Sequence, residues 1–251
     1  RMITVSLCMI VKNEERTLRR CLDSVRGLMD EIIIADTGST DRTVEIARDC
    51  GAAVCTFPWC DDFAAARNFA FSKATMQYCM WLDADDVLEP ADREAFRKLK
   101  ETLDPDTDVV MLRYHTGFDE SGKPTFSYWR ERLLRRAAGF RWQGAVHEAI
   151  APAGKIVYGD AAVSHRKLGP GAPDRNLRIF EGLLAAGKTL APREQFYYAR
   201  ELTYHGRDRE AAAVFQDFLD GGQGWVENNL EACRNLYRTR LRLNEPEKAF
   251  A

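Results

Sequence analysis

The feature that most constrains this chain is an alternation of short apolar runs with stretches of helical spacing. Residues 3–11 (ITVSLCMIV), 31–36 (EIIIAD), 52–57 (AAVCTF), 78–83 (YCMWLD) and 108–114 (DVVMLRY) read as strands, the first of them buried on both faces. After the first strand, Leu18, Cys21, Leu22, Val25 and Leu28 form one apolar helical stripe, which Asn13 can cap. Thr40 or Asp41 caps a second helix running to about Cys50, residues 63–74 form a third, and Pro90 opens a fourth. Strands alternating with helices in this way demand right-handed βαβ units and a mostly parallel sheet, an α/β Rossmann-like fold. Such sheets bind ligands beyond the carboxyl ends of their strands. Strand two ends in Asp36 and strand four in Asp83, so the polar residues of interest converge on one sheet edge.

The pattern changes near residue 115. SYWRERLLRR reads as a strand with mixed faces, and RWQGAVHEAI and AAVSHRKLGPG predict irregular structure with short antiparallel strands. Gly169, Pro170, Gly171 and Pro173 mark a boundary. Two domains are expected, 1–170 with the sheet and 174–251 with helices only. In the second, aligning Gly206 with Asn244 places Ala211 on Ala249, a period of 38 residues. That is close to the period of about 34 of tetratricopeptide repeats. An ordinary helical tail is the alternative. A helix pair ending at Ala251 would leave an apolar face bare, so the natural chain is expected to continue.

Charge and composition exclude some partners. The formal net charge is −2, so no global basic field calls for nucleic acid or an anionic membrane. No apolar run reaches the roughly 18 residues of a membrane helix, and no signal peptide is visible. The seven cysteines show no CxxC spacing and mostly sit in apolar stretches, which reads as reduced, structural thiols and a cytoplasmic protein. The oligomeric state is left open.

The strongest local signal is Asp83-Ala84-Asp85-Asp86 at the end of an apolar strand. Carboxylates there can hold a divalent cation, Mn²⁺ or Mg²⁺, that neutralises a diphosphate. In an extended backbone Asp83 and Asp85 share a side. The same acids can also merely cap a turn. Asp36, in DTGSTD, can bond a ribose hydroxyl or a base edge where Gly38 lets the backbone approach, or close a plain glycine turn. Asn13 and Glu14 end strand one on the same edge, although Glu14 also suits a helix N-terminus. Arg67 can meet phosphate or base, or form a surface ion pair.

Taken in order, SLCMIVKNEERTLRRCLDSV, EIIIADTGSTDRTVEIA, AAARNFAF and WLDADD resemble the family-2 glycosyltransferases of GT-A fold, over residues 3 to about 95. The resemblance implies a nucleotide-diphosphate sugar donor, a sugar or peptide/protein acceptor, and inversion at the anomeric carbon. It implies that Asp36 contacts base or ribose, that Asp83, with Ala84 beside it, contacts the nucleotide, and that Asp85 contacts the metal. The family's catalytic carboxylate falls on Glu148 in Gly144-Ala145-Val146-His147-Glu148, which departs from the commoner Glu-Asp. His147 is the rival base, with an ordinary pKa near 6.5. His165 resembles the family's late metal-binding histidine, and the helical tail resembles members with tetratricopeptide-like repeats. Two other readings compete: a sugar nucleotidyltransferase, for which strand one lacks the glycine-rich loop, and an inactive scaffold, for which the acids would be eroded.

Overall fold

A computed structural model of the chain describes residues 2–169 and 171–249; the expected domain limits at 1, 170 and 251 lie outside the described residues. The chain forms two compact units. The first takes the described residues up to Gln143 and from Glu148 to 169, the second Gly144–His147 and the described residues from Gly171 onward. Gly144–His147, which the sequence reading placed in the first domain, therefore groups with the helices.

The first unit runs β1 (Val5–Val11), α1 (Leu18–Ser24), β2 (Glu31–Asp36), α2 (Thr43–Asp49), β3 (Ala53–Thr56), α3 (Phe63–Ser72), β4 (Tyr78–Trp81), β5 (Asp86–Val87), α4 (Pro90–Thr102), β6 (Val109–Phe118), β7 (Pro124–Arg135) and β8 (Ile156–His165). Among the described residues the sheet has eight strands in the order β3-β2-β1-β4-β7-β6-β8-β5. The half built from β3, β2, β1 and β4 is parallel, as the βαβ pattern requires. The other half is mixed: β7 lies antiparallel to both β4 and β6, and β8 runs parallel to β6. SYWRERLLRR lies at the end of β7, a strand of 12 residues, and AAVSH closes β8, a strand of 10 residues that is antiparallel only to the two-residue β5; RWQGAVHEAI is irregular apart from a bridge between Gln143 and Ala149. β7 inserts between β4 and β6, a pairing between distant segments that local pattern does not encode.

The central strands are buried on both faces. Val5, Leu7, Met9 and Val11 of β1 pack with the α1 stripe and with Phe96 of α4. Cys8 of β1, with Ile33 and Ala35 of β2, packs with Ala70 and Ala74 on the other face. Trp81, Leu134 and Trp142 form a third cluster with Ala64.

Asn13 does not cap α1. Its backbone is left-handed, φ 55°, and its side-chain oxygen accepts the N–H of Thr40 at 2.8 Å. It pins the turn after β2 instead, and α1 begins only at Leu18. Asp41 does anchor the start of α2, accepting the N–H of Thr43 at 2.9 Å.

The second unit contains α5 (Arg175–Ala185), α6 (Pro192–Tyr204), α7 (Asp208–Gly221), α8 (Val226–Arg242) and α9 (Pro246–Ala249). α6 packs on α7, α7 on α8 and α8 on α9. Phe196 sits at the centre, with its ring 6.3 Å from that of Phe215 and 5.7 Å from that of Phe218. The turns α6–α7 and α8–α9 each hold one left-handed residue, Gly206 at φ 70° and Asn244 at φ 58°. Glycine and asparagine tolerate that conformation best. No helix of the described residues is long and apolar enough to cross a membrane.

A Cβ at Gly206 would meet only open space, so Gly206→Ala carries backbone strain alone. It is expected to lower stability by about 1–2 kcal/mol, whereas Asn244→Gly stays near neutral. Chemical denaturation followed by circular dichroism checks this; equal stabilities for Gly206→Ala and the parent would contradict it.

Candidate active site

The carboxyl ends of β1, β2 and β4 deliver most of the expected residues to one edge of the first unit. Val11 is in register with Asp36, and Cys8 with Trp81, so β1 and β2 reach further along that edge than β4. Asp36 is buried, and its carboxylate closes the glycine turn by accepting the N–H of Gly38 at 3.2 Å and of Ser39 at 3.1 Å. Gly38 has φ 106°, a conformation that a side chain would strain. Glu14 takes the Thr17 hydroxyl at 2.9 Å. Burial pushes its carboxyl pKa up, and the charges of Asp85 and Asp83 add to the shift against the Thr17 bond.

Asp83 to Asp86 are not extended. The N–H of Asp86 bonds the Asp83 carbonyl at 3.0 Å, and the Asp86 carboxylate accepts the Asp83 N–H at 2.9 Å. Asp83 and Asp85 therefore part company, contrary to the alternation expected of a strand. Ala84 is buried in the apolar core and presents only backbone.

Asp83 turns towards α3. Arg67 donates from Nη2 to Asp83 at 2.7 Å and from Nε to Glu148 at 2.6 Å. Its guanidinium lies 5.0 Å from the Trp81 ring centre and 4.8 Å from that of Trp142. Burial works against this charge, but Asp83 and Glu148 outweigh it and raise the Arg67 pKa. Burial likewise opposes ionisation of Asp83, yet the Arg67 charge prevails and lowers its pKa. Arg67 Nη1 is buried without a partner among the described residues, an unspent donor beside two carboxylates.

Asp85 turns the other way. Its carboxylate lies 3.4 Å from His165 Nδ1, and Asp86 lies 3.0 Å from the same nitrogen. One ligand atom from each of Asp85, Asp86 and His165 falls within 4.8 Å of the others. Two carboxylates and an imidazole suit a divalent cation accepting oxygen and nitrogen donors. Asp85 and His165 are partly exposed, whereas Asp86 is fully buried and already accepts from Tyr114 at 2.8 Å and from Arg132 at 3.4 Å. Asp86 thus fits the role of holding His165 in place better than that of an open ligand.

Arg132 reaches Asp86 because of an irregularity in β7. Val110 pairs with Leu133 but Met111 with Glu131, leaving Arg132 as the extra residue of a bulge. The bulge aims Arg132 inward, 3.7 Å from the Trp81 ring centre and 4.3 Å from that of Tyr114.

His147 and Glu148 diverge. His147 belongs to the second unit, in left-handed backbone at φ 53°, stacked 4.0 Å from the Tyr197 ring and 3.5 Å from Glu201. Glu148 belongs to the first unit and is held by Arg67. Sequence reasoning missed Asp86, Tyr114, Arg132, Trp81 and Trp142. The available signals were a third acid in the DADD run and the arginines set among the apolar residues of SYWRERLLRR.

The fold agrees with that of known relatives. Residues 6–154 match the model of Glycosyl transferase family 2, and the chain belongs to that family. It is 41% identical over 151 residues to a TPR repeat-containing protein of Synechococcus elongatus, covering 59% of this chain and 36% of that protein. It is 28% identical over 229 residues to the SPbeta prophage-derived glycosyltransferase SunS of Bacillus subtilis, covering 83% of this chain and 51% of SunS. The chain thus spans about half or less of the length of these relatives. Among solved structures, S. aureus TarS 1–349 in complex with UDP-GlcNAc superposes with a TM-score of 0.50 at 16% identity, covering 94% of this chain and 80% of that one. At that identity the likeness is one of fold.

Two outcomes follow from the geometry. Arg132→Ala takes the guanidinium from buried Asp86 and leaves it the Asp83 N–H, Tyr114 and His165, so the variant is expected to lose about 1–3 kcal/mol in denaturant unfolding; unchanged stability would show that Asp86 needs no such partner. The His165 pKa is raised above its ordinary 6.5, first by the Asp86 hydrogen bond and then by the charges of Asp85, Asp86 and Asp83 against burial. A raised histidine stabilises the folded state fully below its unfolded pKa and loses that contribution as pH climbs through the folded value. In chelator, the melting temperature of the parent should therefore exceed that of His165→Gln most at about pH 5 and least at about pH 8. A gap that widens with pH reverses the sign and refutes the assignment.

Proposed function

We propose that this chain transfers a sugar, with inversion, from a nucleoside diphosphate donor to a saccharide, lipid-linked or peptide acceptor. The observation that carries the proposal is the splitting of the Asp83–Asp86 turn, which sends one carboxylate to Arg67 and Glu148 and the other to His165. A donor would find base- and ribose-binding groups in Asp36, Asn13 and Glu14, and the nucleotide would lie against Asp83 with Arg67 beside it. TarS, the structural neighbour, was crystallised with UDP-GlcNAc, which favours a uridine nucleotide as the first donor to try. Asp85 and His165 would hold a divalent cation, Mn²⁺ or Mg²⁺, which when bound supplies positive charge to the departing diphosphate.

Glu148 is the proposed proton acceptor. Arg67 engages its Oε1 only, which orients the carboxylate while Oε2 has no hydrogen-bond partner among the described residues. The acceptor hydroxyl gives its proton to that oxygen as it attacks the anomeric carbon, and the diphosphate leaves with the bonding electron pair. His147 is the less favoured base, because its ring is stacked on Tyr197 beside Glu201.

The domain limits 1–170 and 174–251 remain part of this proposal, as does a tetratricopeptide-like character of the second unit. Equivalent left-handed turns at Gly206 and Asn244 support the latter, as does the repeat content named in the cyanobacterial relative. A cytoplasmic setting, with all seven cysteines free, completes it.

The test is donor hydrolysis, since slow transfer to water needs no known acceptor. UDP-sugars with Mn²⁺ are expected to turn over, and Asp85→Ala or exhaustive chelation to abolish it. Glu148→Gln should lose at least about a hundredfold in rate while calorimetric donor affinity holds. Normal turnover in Glu148→Gln with a dead His147→Ala would exchange the two roles.

A further inference from the structure

A groove of 870 Å³ lies in the first unit between α1 and the start of α4, and none of the residues assigned above to donor or cation lines it. Its volume falls in the range of about 300–1,000 Å³ usual for small-molecule sites. The floor includes Ile46, Val87 and Leu88, and the walls carry five arginines against three carboxylates, an excess of two positive charges.

The excess is concentrated on three side chains. Arg16 is exposed and has no partner among the described residues. Arg20 donates only to the carbonyl of Arg166, at 2.5 Å. Arg93 donates to the carbonyls of Asp23, Ser24 and Arg26, with no carboxylate among its partners. The other two arginines are neutralised, Arg19 by Asp49 and Arg166 by Glu89. Of the lining acids, Asp23 is already paired with Arg26. Carbonyl partners orient a guanidinium without cancelling its charge, which leaves these groups able to bind an anion bidentately.

The groove also adjoins the site. Val87 and Leu88 follow Asp86 directly, and the N–H of Arg166, next after His165, bonds the Asp85 carbonyl at 2.9 Å. We propose that this groove binds a phosphomonoester borne by the acceptor, whose two negative charges match the excess. This rests on the transferase reading for the word acceptor, while the anion binding itself does not.

The experiment titrates the protein in chelator with glucose 6-phosphate, with glucose, and with phosphatidylcholine vesicles with and without phosphatidic acid, following the Arg Nε–H resonances. Saturable shifts of Arg16, Arg20 and Arg93 are expected with the phosphorylated probe in at least one arm. A response confined to glucose 6-phosphate identifies a soluble sugar phosphate, and one confined to phosphatidic acid a lipid phosphate. Arg16→Gln/Arg20→Gln should weaken that binding by at least about tenfold and leave UDP-sugar hydrolysis unchanged. No saturable shift in either arm, or equal binding by the double variant, overturns the proposal. Absence of hydrolysis in the parent protein would instead sink the transferase reading and leave the anion site standing.

Discussion

Two opposite charges with no access to solvent, Arg132 and Asp86, set the shape of the sheet edge. Moving such a pair out of water is costly, and their mutual attraction offsets that cost only when the remaining polar atoms find partners. Asp86 meets this condition, with four neighbours around its two oxygens. Arg132 meets it partly: Nη1 bonds the Trp81 carbonyl at 3.1 Å and two aromatic faces flank the guanidinium, but Nε and Nη2 have no partner among the described residues. What the pair secures is geometry. With Asp86 anchored from below, the preceding residues close into a turn, and the acids on either side of Ala84 are driven apart.

Arg67 then gives one of those acids a fixed address. It joins α3, the end of β4 and the segment beginning at Glu148, elements far apart in sequence. Because the guanidinium is planar and always charged, it can hold two carboxylates without losing its own protonation. The electrostatics are self-consistent: Asp83 is kept ionised despite burial, and Asp85, lacking a guanidinium, is pushed up by burial first and then by Asp83 and Asp86 against the pull of His165.

Much of this was readable in the chain and some was not. The parallel half of the sheet follows from local pattern, since each strand there is an apolar run followed by a helix that covers it. The mixed half is different: β7 and β8 mix polar and apolar residues without a regular period, and nothing within SYWRERLLRR states that it will lie between β4 and β6. Asn13 was legible as a cap by residue type, but its use depends on Thr40, which the fold brings to it. Asp85 and His165 were picked out from motif order, while Asp86 passed as one acid among three. Its partners are a bulged arginine and a tyrosine from other strands, and such a network exists only once register is set. The adjacency of His147 and Glu148 hid that a left-handed residue separates their surroundings.

The packing of Arg67 between indole rings has an optical consequence. Of the five tryptophans, Trp81 and Trp142 are almost wholly buried, whereas Trp225 is 78% exposed. Indoles in apolar surroundings emit at shorter wavelength than those in water, and a cation over the ring alters their quantum yield. Any event that draws the guanidinium away from Trp81 and Trp142 would therefore change the blue edge of the emission and leave the red edge alone. The molecule carries its own spectroscopic reporter at the point where two carboxylates compete for one arginine.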